Sequence, residues 1–343
     1  MQQGTKLGEG AYGAVIFENG SATKKFQKLP YLIRECMAIN YLSDCDYVVK
    51  PVGVNVSKLT LTMDLYTCSL GRWLKDHEGR MYLPEKLIAI HDILRGLIEL
   101  HDRGLAHADL TPNNVLVKVE NGKLVKAVLG DCGFVSIAKY SKCDCTAALY
   151  RDPAEINDQQ HDLFSLGVCM LQILYGFRLD HQPKYQEITQ EIFNRVHDKE
   201  LRGIMCRLVR KTRQKRPTAR EVLASIFSEN PDIKIKQKYE KPPDYPEIRS
   251  FIQKQCNVYK IYRGGRAYRA LCYFLTAKKI NSKYHDLYTN AVLMISAAAF
   301  EHSKYSLSRA MKICQYNYSE NDFYKVLTEL MLCSEFLDRI YMV

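Results

Sequence analysis

The stretch His107-Ala108-Asp109-Leu110-Thr111-Pro112-Asn113-Asn114-Val115-Leu116 constrains this chain more than any other. It sets an acid, Asp109, and an amide, Asn114, five residues apart. They follow a long amphipathic helix predicted over Glu85–His101, with Leu87, Ile90, Ile93, Leu94, Leu97 and Leu100 as its apolar stripe. Seventeen residues beyond Asn114, after the apolar run Ala127-Val128-Leu129, comes Asp131-Cys132-Gly133. That is a carboxylate at the end of a strand, with a glycine for the turn. Asp109 can orient and deprotonate an attacking hydroxyl, while Asn114 and Asp131 can ligate Mg²⁺ that bridges phosphates. Two ordinary surface turns would require neither this order nor this spacing.

The N-terminal end supplies the complementary half. Gly8-Glu9-Gly10-Ala11-Tyr12-Gly13 fits G-x-G-x-x-G and is followed by Val15. Glycines at these positions let backbone amides approach nucleotide phosphates. Alone the pattern also opens dinucleotide-binding domains. Here a strand (Ala14–Glu18), an Asn19-Gly20 hairpin signal and a further strand (Ser21–Phe26) follow it, and no helix does. Lys24 falls on the strand after the hairpin. Glu35 falls on a helix predicted over Tyr31–Leu42, with Leu32, Cys36 and Ile39 on one side, and is the natural counter-charge. Val48–Val54 and Leu59–Leu65 complete a sheet.

In order and spacing these segments resemble the eukaryotic protein kinases across roughly residues 4 to 228. Asp152-Pro153-Ala154-Glu155 resembles the A-P-E signature, Asp162-Leu163-Phe164-Ser165-Leu166-Gly167 the D-x-W-S-x-G helix start, and Arg216-Pro217-Thr218-Ala219 the late arginine motif. The resemblance implies that Arg216 pairs with Glu155. It also implies that ATP with Mg²⁺ binds under Gly8, Gly10 and Gly13 and between two lobes, with Lys24 on the phosphates. Val15, Ala22, Glu35 and Leu116 join the nucleotide-binding set, Met63 stands as gatekeeper, and main-chain groups of Asp64 and Tyr66 hold the adenine edge. The catalytic set is then Asp109, Lys24, Asn114 and Asp131, with Asn114 and Asp131 on the metal. Gly8–Gly13 and Ile33-Arg34-Glu35 are similar to cyclin-dependent kinases, and the D-x-T-P-x-N spelling is similar to herpesvirus and other large-DNA-virus kinases.

Three positions depart from the family pattern. Ala108 stands where many kinases carry the arginine that neutralises a phosphorylated activation loop, so the expectation is constitutive or partner-controlled activity. Thr111 replaces the catalytic-loop lysine of serine/threonine kinases, removing a positive charge from near the γ-phosphate. Cys132 replaces the D-F-G aromatic.

Composition adds limits. The 12 cysteines are scattered, which reads as reduced, mostly buried thiols in the cytosol or nucleus, of a host cell if the source is viral. No signal peptide is visible, and the longest apolar run is too short to span a bilayer. The net charge is +11, and no acidic residue occurs from Phe251 to His285. That stretch reads as a solvated basic face or a dock for acidic substrates, with nucleic-acid binding the lesser alternative.

The expected fold class is α+β. A β-rich N-lobe (1–66) and an α-helical C-lobe (67–228) are followed by a proline-bearing linker (229–247) and an all-α C-terminal domain (248–343). Helices over Asn290–Glu301, Ser306–Cys314 and Ser319–Phe336 resemble the middle of a cyclin box, with Glu329 where cyclins face the kinase helix. That resemblance implies packing of the tail on Tyr31–Leu42 in cis. The expected activity is transfer of the γ-phosphate to serine or threonine of protein substrates, and the alternative is a pseudokinase scaffold.

Overall fold

The computed structural model describes the chain apart from residues 1, 11, 78–80, 138–140, 143–147, 155, 177–184, 230–243, 260–263, 301–305, 315–317 and 342–343. Most of the linker segment and Glu155 therefore lie outside the described residues. The chain divides into two compact units. One takes residues 1–43, 50–65 and 236–343; the other takes residues 44–49 and 66–235.

The first unit begins with β1 (Lys6–Gly10), β2 (Gly13–Glu18) and β3 (Ser21–Phe26), followed by helix α1 (Leu29–Tyr41), β4 (Pro51–Asn55) and β5 (Thr60–Met63). The strands form an antiparallel sheet in the order β1-β2-β3-β5-β4. Asn19 and Gly20, which turn β2 into β3, both adopt positive φ (50° and 79°), the twist a two-residue hairpin requires. Gly13 is fixed by close approach, because a Cβ there would lie 2.1 Å from the Lys25 carbonyl oxygen.

In the second unit, β6 (Cys68–Ser69) leads into α2 (Leu70–Asp76) and the long α3 (Leu83–Asp102). Next come β7 (Leu105–Ala106), β8 (Val115–Glu120), β9 (Lys123–Leu129) and the two-residue strands β10 (Ser136–Ile137), β11 (Ser141–Lys142) and β12 (Ile156–Asn157). β8 and β9 pair as a hairpin with β6 at its edge, β10 pairs with β7, and β11 with β12. Helix α4 (Gln159–Tyr175) is buried almost continuously from His161 to Leu171, as its apolar sequence requires. The Asp158 carboxylate caps it by accepting the His161 N–H. α5 (Tyr185–Arg195), α6 (Lys199–Leu208) and α7 (Ala219–Phe227) complete the unit, α7 starting with a Thr218/Glu221 capping box.

The chain then returns to the first unit as α8 (Pro246–Tyr259), α9 (Gly264–Ala277), α10 (His285–Phe300), α11 (Leu307–Ile313), α12 (Glu320–Leu332) and α13 (Ser334–Tyr341). The stretch predicted as one helix, Ser319–Phe336, breaks at Cys333, whose extended backbone separates α12 from α13. Residues Leu287 to Ala298 of α10 are buried without interruption, which makes it the central helix of this bundle. α10, α12 and α13 all pack on α1. That explains a second difference from the sequence expectation. α1 is buried on all sides from Leu32 to Ile39 and not along one stripe, because it has the sheet on one face and helices on another.

Candidate active site

In the first unit, β3 pairs Lys24 with Val15 on one neighbour and Leu61 on the other, and the lysine is 7% exposed. Its Nζ donates to Glu35 Oε2 at 2.6 Å, and Glu35 is 2% exposed. Taking an ammonium out of water is costly unless an anion meets it, and α1 supplies that anion. Gly8 lies opposite Val15, and Gly10 opposite Gly13. A Cβ added at Gly8 or Gly10 would meet nothing within 4 Å, so this edge of β1 presents bare backbone to its surroundings. Ala22 pairs with Met63, and both are buried. The Asp64 N–H is given to the Lys50 carbonyl at 3.0 Å. Tyr66 begins the next stretch of the second unit.

The second unit carries the acid and amide residues. Asn114 Nδ2 donates to both the carbonyl (2.8 Å) and Oδ2 (2.7 Å) of Asp109, locking the loop that joins them. The Asn114 side-chain oxygen remains, and oxygen is the atom a hard cation takes. Asp131 sits just past the β8/β9 hairpin, where the Gly130 N–H donates to the Asn114 carbonyl at 2.8 Å. Its backbone is left-handed (φ 49°, ψ 57°) and starts a short 3₁₀ turn over Cys132–Phe134. Asn114 and Asp131 therefore leave the same end of one hairpin. Leu116, on β8, pairs with Val128 and is half-buried. Among the described residues, no three His, Cys, Asp or Glu side chains cluster as a metal site. The donor set instead fits an ion completed by phosphate oxygens and water, as Mg²⁺ prefers.

Asp162 anchors the segment that leads into Asp109. Its carboxylate accepts the N–H groups of His107 and Ala108, both at 2.8 Å, and His101 Nε2 lies 2.9 Å away. Burial pushes its carboxyl up, but the hydrogen bond and charge of His101, with His107 and His161, outweigh burial and hold it below the usual range. Ala108 itself adopts φ 65° and is buried. His107 Nε2 lies 2.9 Å from the Gly130 carbonyl, which joins the loop to the turn bearing Asp131.

The expected partner of Arg216, Glu155, lies outside the described residues. The Arg216 guanidinium donates to Asp152, at 2.6 and 3.3 Å, and Arg213 reaches the same carboxylate at 2.7 Å. An aspartate two positions before the alanine of this motif was the available signal. In the tail, Glu329 accepts from the Tyr288 hydroxyl at 2.7 Å, a bond within the bundle itself. The described cysteines are free thiols, and burial pushes the Cys36 thiol on α1 up to about 12, so it behaves as a small apolar side chain.

A buried Lys–Glu pair under a glycine-bearing hairpin, with an Asp–Asn loop and a following aspartate, is the residue plan of phosphotransferases of one fold. The protein kinase domain family matches residues 1–228, and the chain belongs to that family. Among relatives, it is 29% identical over 181 residues to the membrane-associated tyrosine- and threonine-specific cdc2-inhibitory kinase of Drosophila melanogaster, covering 49% of this chain and 33% of that protein. It is 26% identical over 187 residues to cyclin-dependent kinase F-4 of Oryza sativa subsp. japonica (49% and 40%). To the putative serine/threonine-protein kinase L673 of Acanthamoeba polyphaga mimivirus it is 27% identical over 221 residues (56% and 38%). The matched stretch spans no more than 40% of any of these relatives. Among the described residues, no helix is long and apolar enough to cross a membrane.

Proposed function

We propose that this chain is an active ATP-dependent protein kinase that phosphorylates serine or threonine hydroxyls. The observation that carries the reading is the buried 2.6 Å pair between Lys24 and Glu35. An ammonium preset in this way can meet the α- and β-phosphates without reorganising, which is how fixed charge contributes most to phosphoryl transfer. Glycines 8, 10 and 13 bring main-chain N–H groups to the phosphates. Met63 and the main-chain groups of Asp64 and Tyr66, with Val15, Ala22 and Leu116, take the base. Asp109, held through Oδ2 by Asn114, orients the acceptor hydroxyl and receives its proton as the oxygen bonds to the γ-phosphorus and ADP leaves. Asn114 and Asp131 would hold Mg²⁺, which neutralises charge on the phosphate oxygens.

Serine/threonine preference draws on the likeness to the putative serine/threonine-protein kinase of the mimivirus. Thr111, in place of the usual lysine, lowers the rate and leaves the chemistry in place. The α8–α13 bundle acts as an activator in cis, a role supported by its packing on α1 and independent of the cyclin-box resemblance. Being tethered, it meets α1 at high effective concentration. Ala108, with no guanidinium for a loop phosphate, supports activity that does not wait for activation-segment phosphorylation.

The test is phosphate transfer from labelled ATP to a generic basic protein by the full chain, with Lys24→Met and Asp109→Asn as controls. Transfer lost by about 100-fold or more in each control is expected. No transfer by the wild-type chain, or equal transfer by all three, would end the kinase reading and favour a scaffold.

A further inference from the structure

We infer that Arg34 is a positioning residue for phosphoryl transfer, acting by tying the C-terminal end of α10 to α1 and so keeping Glu35 on Lys24. The inference rests on the reading of the chain as an active kinase. Arg34 is 6% exposed on a helix that carries Glu35 at the next position. A guanidinium that deep requires acceptors, and its Nε donates to the Ala298 carbonyl at 3.0 Å. Ala298 is in the last turn of α10, where carbonyls lack intrahelical partners and the helix dipole concentrates negative charge. That turn has no basic residue of its own. Arg34 therefore supplies to α10 the cation that its own sequence omits.

The geometry couples the two neighbours. Glu35 reaches from α1 to the sheet, and Arg34 reaches from the same turn to the bundle. A rotation or outward shift of α1 that withdrew Glu35 from Lys24 would also pull Arg34 away from Ala298. At the far end of α1, Tyr41 stacks on Tyr341 of α13 with ring centroids 4.7 Å apart and planes 25° from parallel. Both rings are nearly buried. α1 is thus held by the tail near its middle and at its C-terminal end, and Arg34 is the holding point beside the catalytic pair.

The test compares full-length wild type, Arg34→Met, Arg34→Lys, Glu35→Gln and the Arg34→Met/Glu35→Gln double variant. KM for ATP and kcat are measured with a generic basic protein substrate, and each variant is melted to verify folding. Arg34→Met, which keeps the apolar stem and loses the donor, should lower kcat/KM for ATP by about tenfold, chiefly through a higher KM for ATP. Arg34→Lys should recover part of that loss. In the Glu35→Gln background the added loss should fall below about twofold, because the residue through which Arg34 acts is already disabled. Arg34→Met activity within twofold of wild type, or the same tenfold loss with Glu35→Gln as without it, overturns the inference. If Arg34→Met does not fold, Arg34→Gln, which keeps an amide donor, replaces it and is read by the same coupling. A wild-type chain that transfers no phosphate overturns the underlying kinase reading instead.

Discussion

Truncating Asp152 to alanine should cost the second unit more than any other single surface-remote charge change described above. The Asp152 carboxylate and the Arg216 side chain are both 0% exposed, joined at 2.6 Å. Arg213 adds a further contact at 2.7 Å and the Ala154 N–H one at 3.1 Å. Without Asp152, Arg213 keeps Asp158 at 2.5 Å and is partly solvated, so its loss is small. Arg216 loses the carboxylate it meets at 2.6 Å, and removing one partner of a buried ion pair costs about 3–5 kcal/mol. For a unit of this size each kcal/mol lowers Tm by about 2–4 °C, so the expected shift is roughly 6–20 °C.

The pH dependence separates this account from simple loss of packing. Burial pushes the Asp152 carboxyl up, but the hydrogen bond and charge of Arg216, then the Ala154 N–H and Arg213, outweigh it and hold the carboxyl well below the ordinary range. A carboxyl lowered on folding stabilises fully above its unfolded value of about 4, and that contribution drains as pH falls further toward the folded value. The difference between wild type and Asp152→Ala, followed by circular dichroism in urea and by thermal melts, should be flat from pH 5 to 8 and shrink below about pH 4. A loss under about 1 kcal/mol, or a difference that changes between pH 5 and 8, would refute the reasoning.

Other expectations follow from the same geometry. Tyr341→Ala removes a buried ring from the α1–α13 stack and should destabilise the first unit by about 3–5 kcal/mol in calorimetry, with activity falling alongside. Gly13→Ala places a Cβ against the Lys25 carbonyl, so it should lower Tm by several degrees. Gly8→Ala and Gly10→Ala meet open space, so they should leave Tm unchanged while weakening the shift that ATP induces. Asp162→Asn retains one acceptor oxygen for two loop N–H groups and should reduce kcat at least tenfold with KM for ATP little changed, measured by steady-state transfer assays.

Much of this was legible in the residues because local chemistry dictates it. Asn19-Gly20 can hardly serve anything but a tight hairpin, and Lys24 and Glu35 are the charges that the adjoining strand and helix bring together. The Asp109–Asn114 spacing corresponds to a single loop closed on itself by an amide. What was not legible depends on distant chain. Periodicity in Tyr31–Leu42 indicated one apolar face, yet Arg34 and Glu35 are buried as well, since partners more than 260 positions away cover Arg34. The bond between Arg216 and Asp152 joins positions 64 apart, and no local pattern announces it. The break at Cys333 has no proline or glycine to announce it and is a matter of backbone conformation alone.

The discontinuity of the first unit also governs how the protein can be made. Its sheet and α1 emerge from the ribosome first, but α10, α12 and α13, which cover α1, are encoded last. At roughly 5–20 residues per second, the intervening second unit alone takes on the order of ten to thirty seconds to synthesise. During that interval Leu32, Ile33, Met37 and Ile39 belong to a helix whose eventual cover has not been translated. Nascent chains stalled before α10 should therefore be strong clients for holdase chaperones, while the second unit, contiguous but for six residues, is free to fold first.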